Sequence, residues 1–223
     1  MKKGDELMNF YGTEKHQQLL NQFDEKIFSK CDMTAPIREK ILGDGFVLKC
    51  YYYADEQEGY IRYIPYDGEI CRLYQNQELV FEWKNISGHS RMASIIEHYD
   101  GNRYLIFDES LYGYSVLNLN TMECVHYIPL ESEQYFENSS DFKETFIWCE
   151  PHYDKTSNLL AVEGCFWASP YSIIVLDFSN PMEIVGTNKW FNLCDEEQDL
   201  EFVKWTESEL VCSSLTVKKQ ELL

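Results

Sequence analysis

The amino-acid sequence predicts a mainly β fold, an array of short antiparallel units behind an N-terminal helical segment. Three observations carry this expectation. Aromatic residues are abundant, with 16 Tyr and 13 Phe, and rings of this kind suit half-buried pleated surfaces. From Phe46 onward, runs rich in Tyr, Ile, Val and Phe alternate with Gly, Asn, Asp and Pro clusters, as in a succession of strands and turns. One stretch of the chain echoes another at a separation that drifts from 54 to 60 positions.

The elements follow in chain order. Residues 1–44 read as a helical segment and residues 45–223 as the repeated antiparallel β domain. Leu19, Leu20, Phe23, Ile27 and Phe28 recur at helical spacing between Glu14 and Lys30, with Thr13 as N-cap. A stripe of this kind docks on its own domain more often than on another protein. A second short helix is expected from Pro36 to Leu42, opened by proline and stopped by Gly43. In the β body, Asp67-Gly68, Asp100-Gly101-Asn102 and Ser179-Asn180-Pro181 are the expected tight turns.

The internal echo aligns His98-Tyr99-Asp100, Tyr104-Leu105-Ile106-Phe107, Val116-Leu117-Asn118-Leu119 and Met122-Glu123 with a second set. That set is His152-Tyr153-Asp154, Leu159-Leu160-Ala161-Val162, Val175-Leu176-Asp177-Phe178 and Met182-Glu183. Weaker echoes lie at Tyr60–Ile64 and at Phe202–Trp205. Repeats of this length built from several strands are a mark of propeller blades. Gly88-His89 opens one unit, and Leu117-Asn118 and Leu176-Asp177 stand where WD repeats end in Trp-Asp. On these residues the chain resembles a distant WD-repeat β-propeller. The resemblance implies a small or incomplete propeller-like array over residues 46–215, and carries the family's buried His, Ser/Thr and Asp onto His89, Ser110 and Asp108, its Trp having no counterpart. A β-sandwich is the alternative architecture, since alternating strands at short spacing fit it as well.

Charge narrows the function. The chain carries 38 Asp and Glu against 19 Lys and Arg, a formal charge of −19. Residues 1–43 are balanced, with seven of each sign, so the whole excess lies on the β body. A surface of this sign repels phosphate backbones and anionic lipid, which argues against nucleic acid and membranes as partners. Eight Cys without a close-set framework or a CxxC pair read as reduced thiols. Met1-Lys2-Lys3 leads into Gly4-Asp5-Glu6 rather than an apolar run, so a cytoplasmic protein is expected.

The motifs of chemistry are sparse. No GxSxG elbow, GxGxxG, GxxxxGK[ST] or HExxH pattern occurs, and no cofactor or catalytic residue is assigned. Cys149-Glu150-Pro151-His152 offers one half of a zinc site that Cys194, His98 or His126 would have to complete. A structural zinc site normally shows two close ligand pairs, so packing is the better reading. Asp195, Glu196, Glu197, Asp199 and Glu201 place five acids in seven residues. That run suits a solvated loop, and it also suits fast capture of a basic surface. Trp167, in Phe166-Trp167-Ala168-Ser169-Pro170, reads equally as a loop aromatic that anchors a partner and as a wedge between blades. The expected function is therefore non-catalytic binding, with Asp195, Glu196, Glu197, Asp199 and Trp167 as the partner-binding set. A basic protein partner is expected, as for an immunity-type inhibitor of a basic toxin. The alternative is a hydrolase acting on a sugar or lactone in a propeller-like pocket.

Overall fold

A computed structural model of the chain describes residues 2–3, 7–54, 67–86, 92–130, 145–167, 169–183, 191–193 and 199–222. Strands β1 (Lys2–Lys3) and β2 (Leu7–Asn9) precede helix α1 (Glu14–Asp24) and a 3-10 turn at Phe28–Lys30. They are followed by β3 (Arg38–Gly43), β4 (Phe46–Ala54), β5 (Asp67–Gln75) and β6 (Glu78–Asn85). The next four are β7 (Ala93–Glu97), β8 (Arg103–Phe107), β9 (Tyr114–Asn118) and β10 (Cys124–Pro129). Then come β11 (Ile147–Asp154), β12 (Leu159–Cys165), β13 (Tyr171–Asp177) and β14 (Phe191–Leu193), and finally β15 (Phe202–Trp205), β16 (Glu209–Cys212) and β17 (Thr216–Lys218).

The fold is mainly β, in four antiparallel sheets that follow chain order. The first runs β3-β4-β5-β6 and the fourth β15-β16-β17. The second is β2-β10-β9-β8-β7 and the third β1-β14-β13-β12-β11, so each takes an edge strand from the N-terminus. The two copies of the internal echo fall on matching strands of the second and third sheets. Asn118 ends β9 and Asp177 ends β13. Asp100 accepts from the backbone N–H of Asn102 at 2.8 Å, and Asp154 accepts from that of Ser157 at 3.2 Å, each stabilising the turn into the next strand.

Sheet-on-sheet packing explains the apolar runs. In β8, Tyr104 and Ile106 face the third sheet, where Trp148, Leu160 and Ile174 meet them, while Leu105 and Phe107 face Leu48, Leu73 and Trp83 of the first. In β12 and β13, Leu160, Val162, Ile174 and Leu176 face the second sheet, and Leu159, Ala161, Ile173 and Val175 face Leu210 and Cys212 of the fourth. A strand covered on both faces needs apolar residues at every position, which is why these stretches do not alternate. Burying one such side chain contributes about 1.5–3 kcal/mol. Among the described residues, no core cluster joins the first sheet to the fourth.

Helix α1 opens as expected, with the Thr13 hydroxyl accepting from His16 N–H. It docks on its own chain, Leu19 packing with Phe10 and Ile128. It stops at Asp24 rather than continuing to Lys30. In a helix the adjacent Ile27 and Phe28 would point about 100° apart, whereas the bend after Asp24 seats both, buried, with Tyr51 and Ile70. Gly68 makes room for them: a Cβ there would lie 2.3 Å from Ile27 Cγ2. The Asp67-Gly68 pair is accordingly part of β5 and not a turn. The Pro36–Leu42 helix is also corrected. Arg38–Gly43 is strand β3, held by β4 in the register Arg38↔Cys50 to Gly43↔Phe46. The turn between them has positive φ at Gly43, Asp44 and Gly45, so the glycine read as a helix stop belongs to a hairpin. Residue 44 thus lies inside a β-hairpin, and residues 1–44 are only partly helical. The Tyr60–Ile64 echo lies outside the described residues.

Candidate functional site

The β12–β13 hairpin places the predicted aromatic. Phe166 packs inward, its ring 5.5 Å from that of Phe146, and Ser169 N–H closes the turn onto Phe166 C=O at 3.0 Å. Trp167, next in sequence to this half-buried ring, is left 62% exposed. The end of the acidic run is tied to the same hairpin. Asp199 accepts from Tyr171 N–H at 2.7 Å, and Leu200 N–H donates to Tyr171 C=O at 2.9 Å. Leu200 is buried between the third and fourth sheets, which fixes the chain where Asp199 leaves the core. The structure therefore brings Trp167 and Asp199 to one corner. Asp195, Glu196 and Glu197 lie outside the described residues.

The acidic character continues beyond this corner. Glu150 and Glu163 are directly opposite one another on β11 and β12, where like charges repel. Glu163 is compensated by the Phe202 N–H, which donates at 2.6 Å, and by the His152 ring, whose Nε2 lies 3.0 Å away. His152 in turn stacks on Phe202 with centroids 3.8 Å apart, and its carbonyl accepts from Trp205 Nε1–H at 3.0 Å. Ligand atoms of Glu150, His152 and Glu163 lie within 4.8 Å of one another, a set that suits a divalent cation. Among the described residues the zinc arrangement considered from sequence is not assembled. A bulge after Trp148 breaks the alternation of β11, so Cys149 packs with Tyr112 and Ile147 while His152 pairs with Glu163. His98 Nε2 is bonded to Phe178 C=O, and His126 Nδ1 to Ser115. Cys194 lies outside the described residues.

Cations are drawn into pairs elsewhere. Lys49, Arg72, Lys84, Arg103 and Lys155 sit against Glu39, Glu82, Asp24, Asp44 and Glu97 respectively. No Lys or Arg among the described residues pairs with Asp199.

A second concavity, of about 260 Å³, lies between α1 and β6 and is lined by Tyr11, His16, Phe81, Trp83, Lys84 and Glu109 among others. Its floor is a polar chain. His16 Nδ1 accepts from Gly12 N–H at 3.1 Å, so its Nε2–H donates to Glu109 Oε2 at 3.1 Å. Ser115 Oγ donates to Glu109 Oε1 at 2.8 Å, which leaves His126 Nδ1–H to donate to Ser115 Oγ at 2.8 Å. Burial works to raise the Glu109 carboxyl, but the imidazoles of His126 and His16 and the Ser115 hydroxyl hold it below the ordinary range. Both of its oxygens are engaged, and Glu82 at the rim is paired with Arg72. The cleft thus offers no unengaged carboxylate pair among its described lining residues, and glycoside hydrolysis needs two. This network was not foreseen from sequence, because its members come from four separated segments. Of the residues carried over by resemblance, Asp108 and Ser110 are buried but bonded apart, to Asn85 and to Tyr112 C=O. Trp83 Nε1–H donates to Asp108 C=O at 3.1 Å. His89 lies outside the described residues.

No family model matches the chain, and no solved structure matches it. A stretch of 75 residues is 33% identical to "Uncharacterized protein R762" of Acanthamoeba polyphaga mimivirus, covering 33% of this chain and 30% of that protein. Among the described residues no helix is long and apolar enough to cross a membrane.

Proposed function

We propose that the chain is a non-catalytic protein-binding module of the cytoplasm that captures a basic partner through the corner of Trp167 and Asp199 and the acids Asp195, Glu196 and Glu197 that precede it in sequence. The observation that carries this reading is the pinning of Asp199 to the first residue of β13, beside a hairpin whose tryptophan is exposed. An aromatic anchor beside an acidic run is the arrangement expected of a hot spot with electrostatic steering. A basic nuclease-like toxin, held by an immunity-type inhibitor, fits the sign of the charge. We also read the four sheets as blades of a small propeller-like array. Their chain-order stacking supports this, as does the placing of the two echoed segments on matching strands.

The test begins with affinity capture from the native host at low and moderate salt. A basic protein retained in near-equal amount and released by salt is the expected result. Replacing Asp195, Glu196, Glu197 and Asp199 by their amides should then slow association about tenfold at low ionic strength and flatten its salt dependence. Trp167→Ala should instead speed dissociation, costing about 2 kcal/mol. Unchanged kinetics in both variants would remove this corner as the binding site.

A further inference from the structure

Strand register in the first sheet assembles a second chemical site. Arg38 on β3 is opposite Cys50 on β4, Cys50 is opposite Cys71 on β5, and Cys71 is opposite Trp83 on β6. Directly opposed residues share a sheet face, so one lateral row carries a guanidinium and two thiols. The contacts follow: Arg38 Nη2–H donates to Cys50 Sγ at 3.3 Å, and the Cys71 thiol to the same sulfur at 3.6 Å. Glu69, two residues before Cys71 and on its face, receives Arg38 Nη2–H at 2.7 Å and lies 3.8 Å from Cys71 Sγ. Both cysteines are fully buried, whereas the Arg38 side chain is 40% exposed.

We propose that Cys50 and Cys71 are a peroxide-responsive thiol pair, with Cys50 the sulfur that is oxidised first and Cys71 the one that resolves it into a disulfide. The two sulfurs are not equivalent. The hydrogen bond from Cys71 and the guanidinium of Arg38 hold Cys50 below the ordinary thiol range against the effect of burial. Burial and the neighbouring Cys50 push Cys71 well up. Cys50 is thus the one with thiolate character, and the thiolate is the nucleophile. Its sulfur, its proton released to solvent, attacks one oxygen of hydrogen peroxide; the O–O bond breaks, and the other oxygen takes a proton back from solvent and leaves as water. Cys71 then attacks the sulfenic sulfur of Cys50. Its thiol proton passes to Glu69 and on to the departing hydroxide, which leaves as a second water. Two thiols are oxidised, one peroxide is reduced, and the atoms balance. The sulfurs have to close from 3.6 Å to about 2.05 Å, a side-chain rotation within one cross-strand pair. Access past Arg38 suits a small neutral oxidant. A metal ion is disfavoured at the same atoms, because the arginine already supplies the positive charge that the carboxylate and thiolate require.

The test uses the folded full-length protein. After brief exposure to dilute hydrogen peroxide, intact mass should fall by that of two hydrogens, and digestion after alkylation should yield one Cys50–Cys71-linked peptide that dithiothreitol releases. Cys71→Ser should stop at a sulfenic acid that dimedone labels on Cys50, and Cys50→Ser should leave Cys71 unlabelled. Arg38→Gln should slow the reaction about tenfold, the loss of thiolate expected of a one-unit rise in pKa. Wild-type protein that keeps both cysteines alkylatable, or that links other cysteines first, would overturn the proposal without reliance on any variant. Dimedone on Cys71 in Cys50→Ser would overturn the assignment of roles.

Discussion

Replacing Glu109 by Ala is expected to destabilise the fold by about 3–5 kcal/mol, the range seen when one partner of a buried charged network is removed. Its side chain is 8% exposed and holds together groups from three segments: His16 from α1, Ser115 from β9 and, through Ser115, His126 from β10. Truncation leaves a cavity and strands the His16 Nε2–H and the Ser115 hydroxyl without an acceptor. Glu109→Gln keeps the volume and one acceptor but turns an amide N–H toward a donor, so a smaller loss of about 1–3 kcal/mol is expected. Urea unfolding of the two variants measures both, and a loss under about 1 kcal/mol for Glu109→Ala would show that the network is not structural. The same network sets an acid limit. Burial depresses His126, so the unfolded chain binds its proton more readily, and stability declines as pH falls below about 6.5. Glu109 is depressed as well and acts in the same direction. Its contribution is present above the unfolded carboxyl pKa, about 4.3, and is lost as pH falls through the lower folded value.

Legibility in the sequence followed the range of the interaction concerned. Tyr104–Phe107 and Leu159–Val162 read as strands because burial on both faces demands unbroken apolar runs. The Asp100-Gly101-Asn102 turn was equally plain, Gly101 having φ of +86°. Arg38–Gly43 was not, since Arg, Glu, Lys, Ile and Leu all tolerate helix, and only pairing with β4 decides the outcome. The positive-φ turn at Gly43-Asp44-Gly45 was the signal that would have found it. At the candidate site, Trp167 was visible as an aromatic in a loop. The bond that fixes Asp199 beside it spans 28 positions and has no local trace. The same limit hid the row of Arg38, Cys50 and Cys71, which exists only once three strands are in register, and the network on Glu109.

Lys219→Met should produce the second large loss, about 3 kcal/mol, and should shift acid unfolding to higher pH. Lys219 follows β17 of the fourth sheet, while Asp154 ends β11 of the third. Their side chains are 7% and 10% exposed and meet at 2.5 Å. The ammonium also reaches Thr156 Oγ1 at 3.2 Å and lies 5.5 Å from the centre of the Trp205 ring, so one cation fastens the last sheet to the hairpin before β12. The loss stays near the lower end of the usual range because Thr156 and Ser157 continue to bond Asp154 in the variant. Burial would raise the Asp154 carboxyl, but Lys219, Ser157 and Thr156 hold it below its ordinary value. Its stabilisation is therefore full above the unfolded carboxyl pKa, about 3.9, and disappears as pH falls through the folded one. Without Lys219 that depression shrinks and the loss starts at higher pH. Asp100, the equivalent residue of the other echoed segment, is brought down to about 2 against the effect of burial by Asn102, Tyr104 and His98, without a lysine. Asp100→Ala should consequently cost less than Asp154→Ala, about 1 kcal/mol. Urea titrations at pH 7 and pH 4, followed by tryptophan fluorescence, compare the variants. Equal losses at the two aspartates, or a Lys219→Met protein as stable as wild type, would mean that the fourth sheet is held by its apolar face alone.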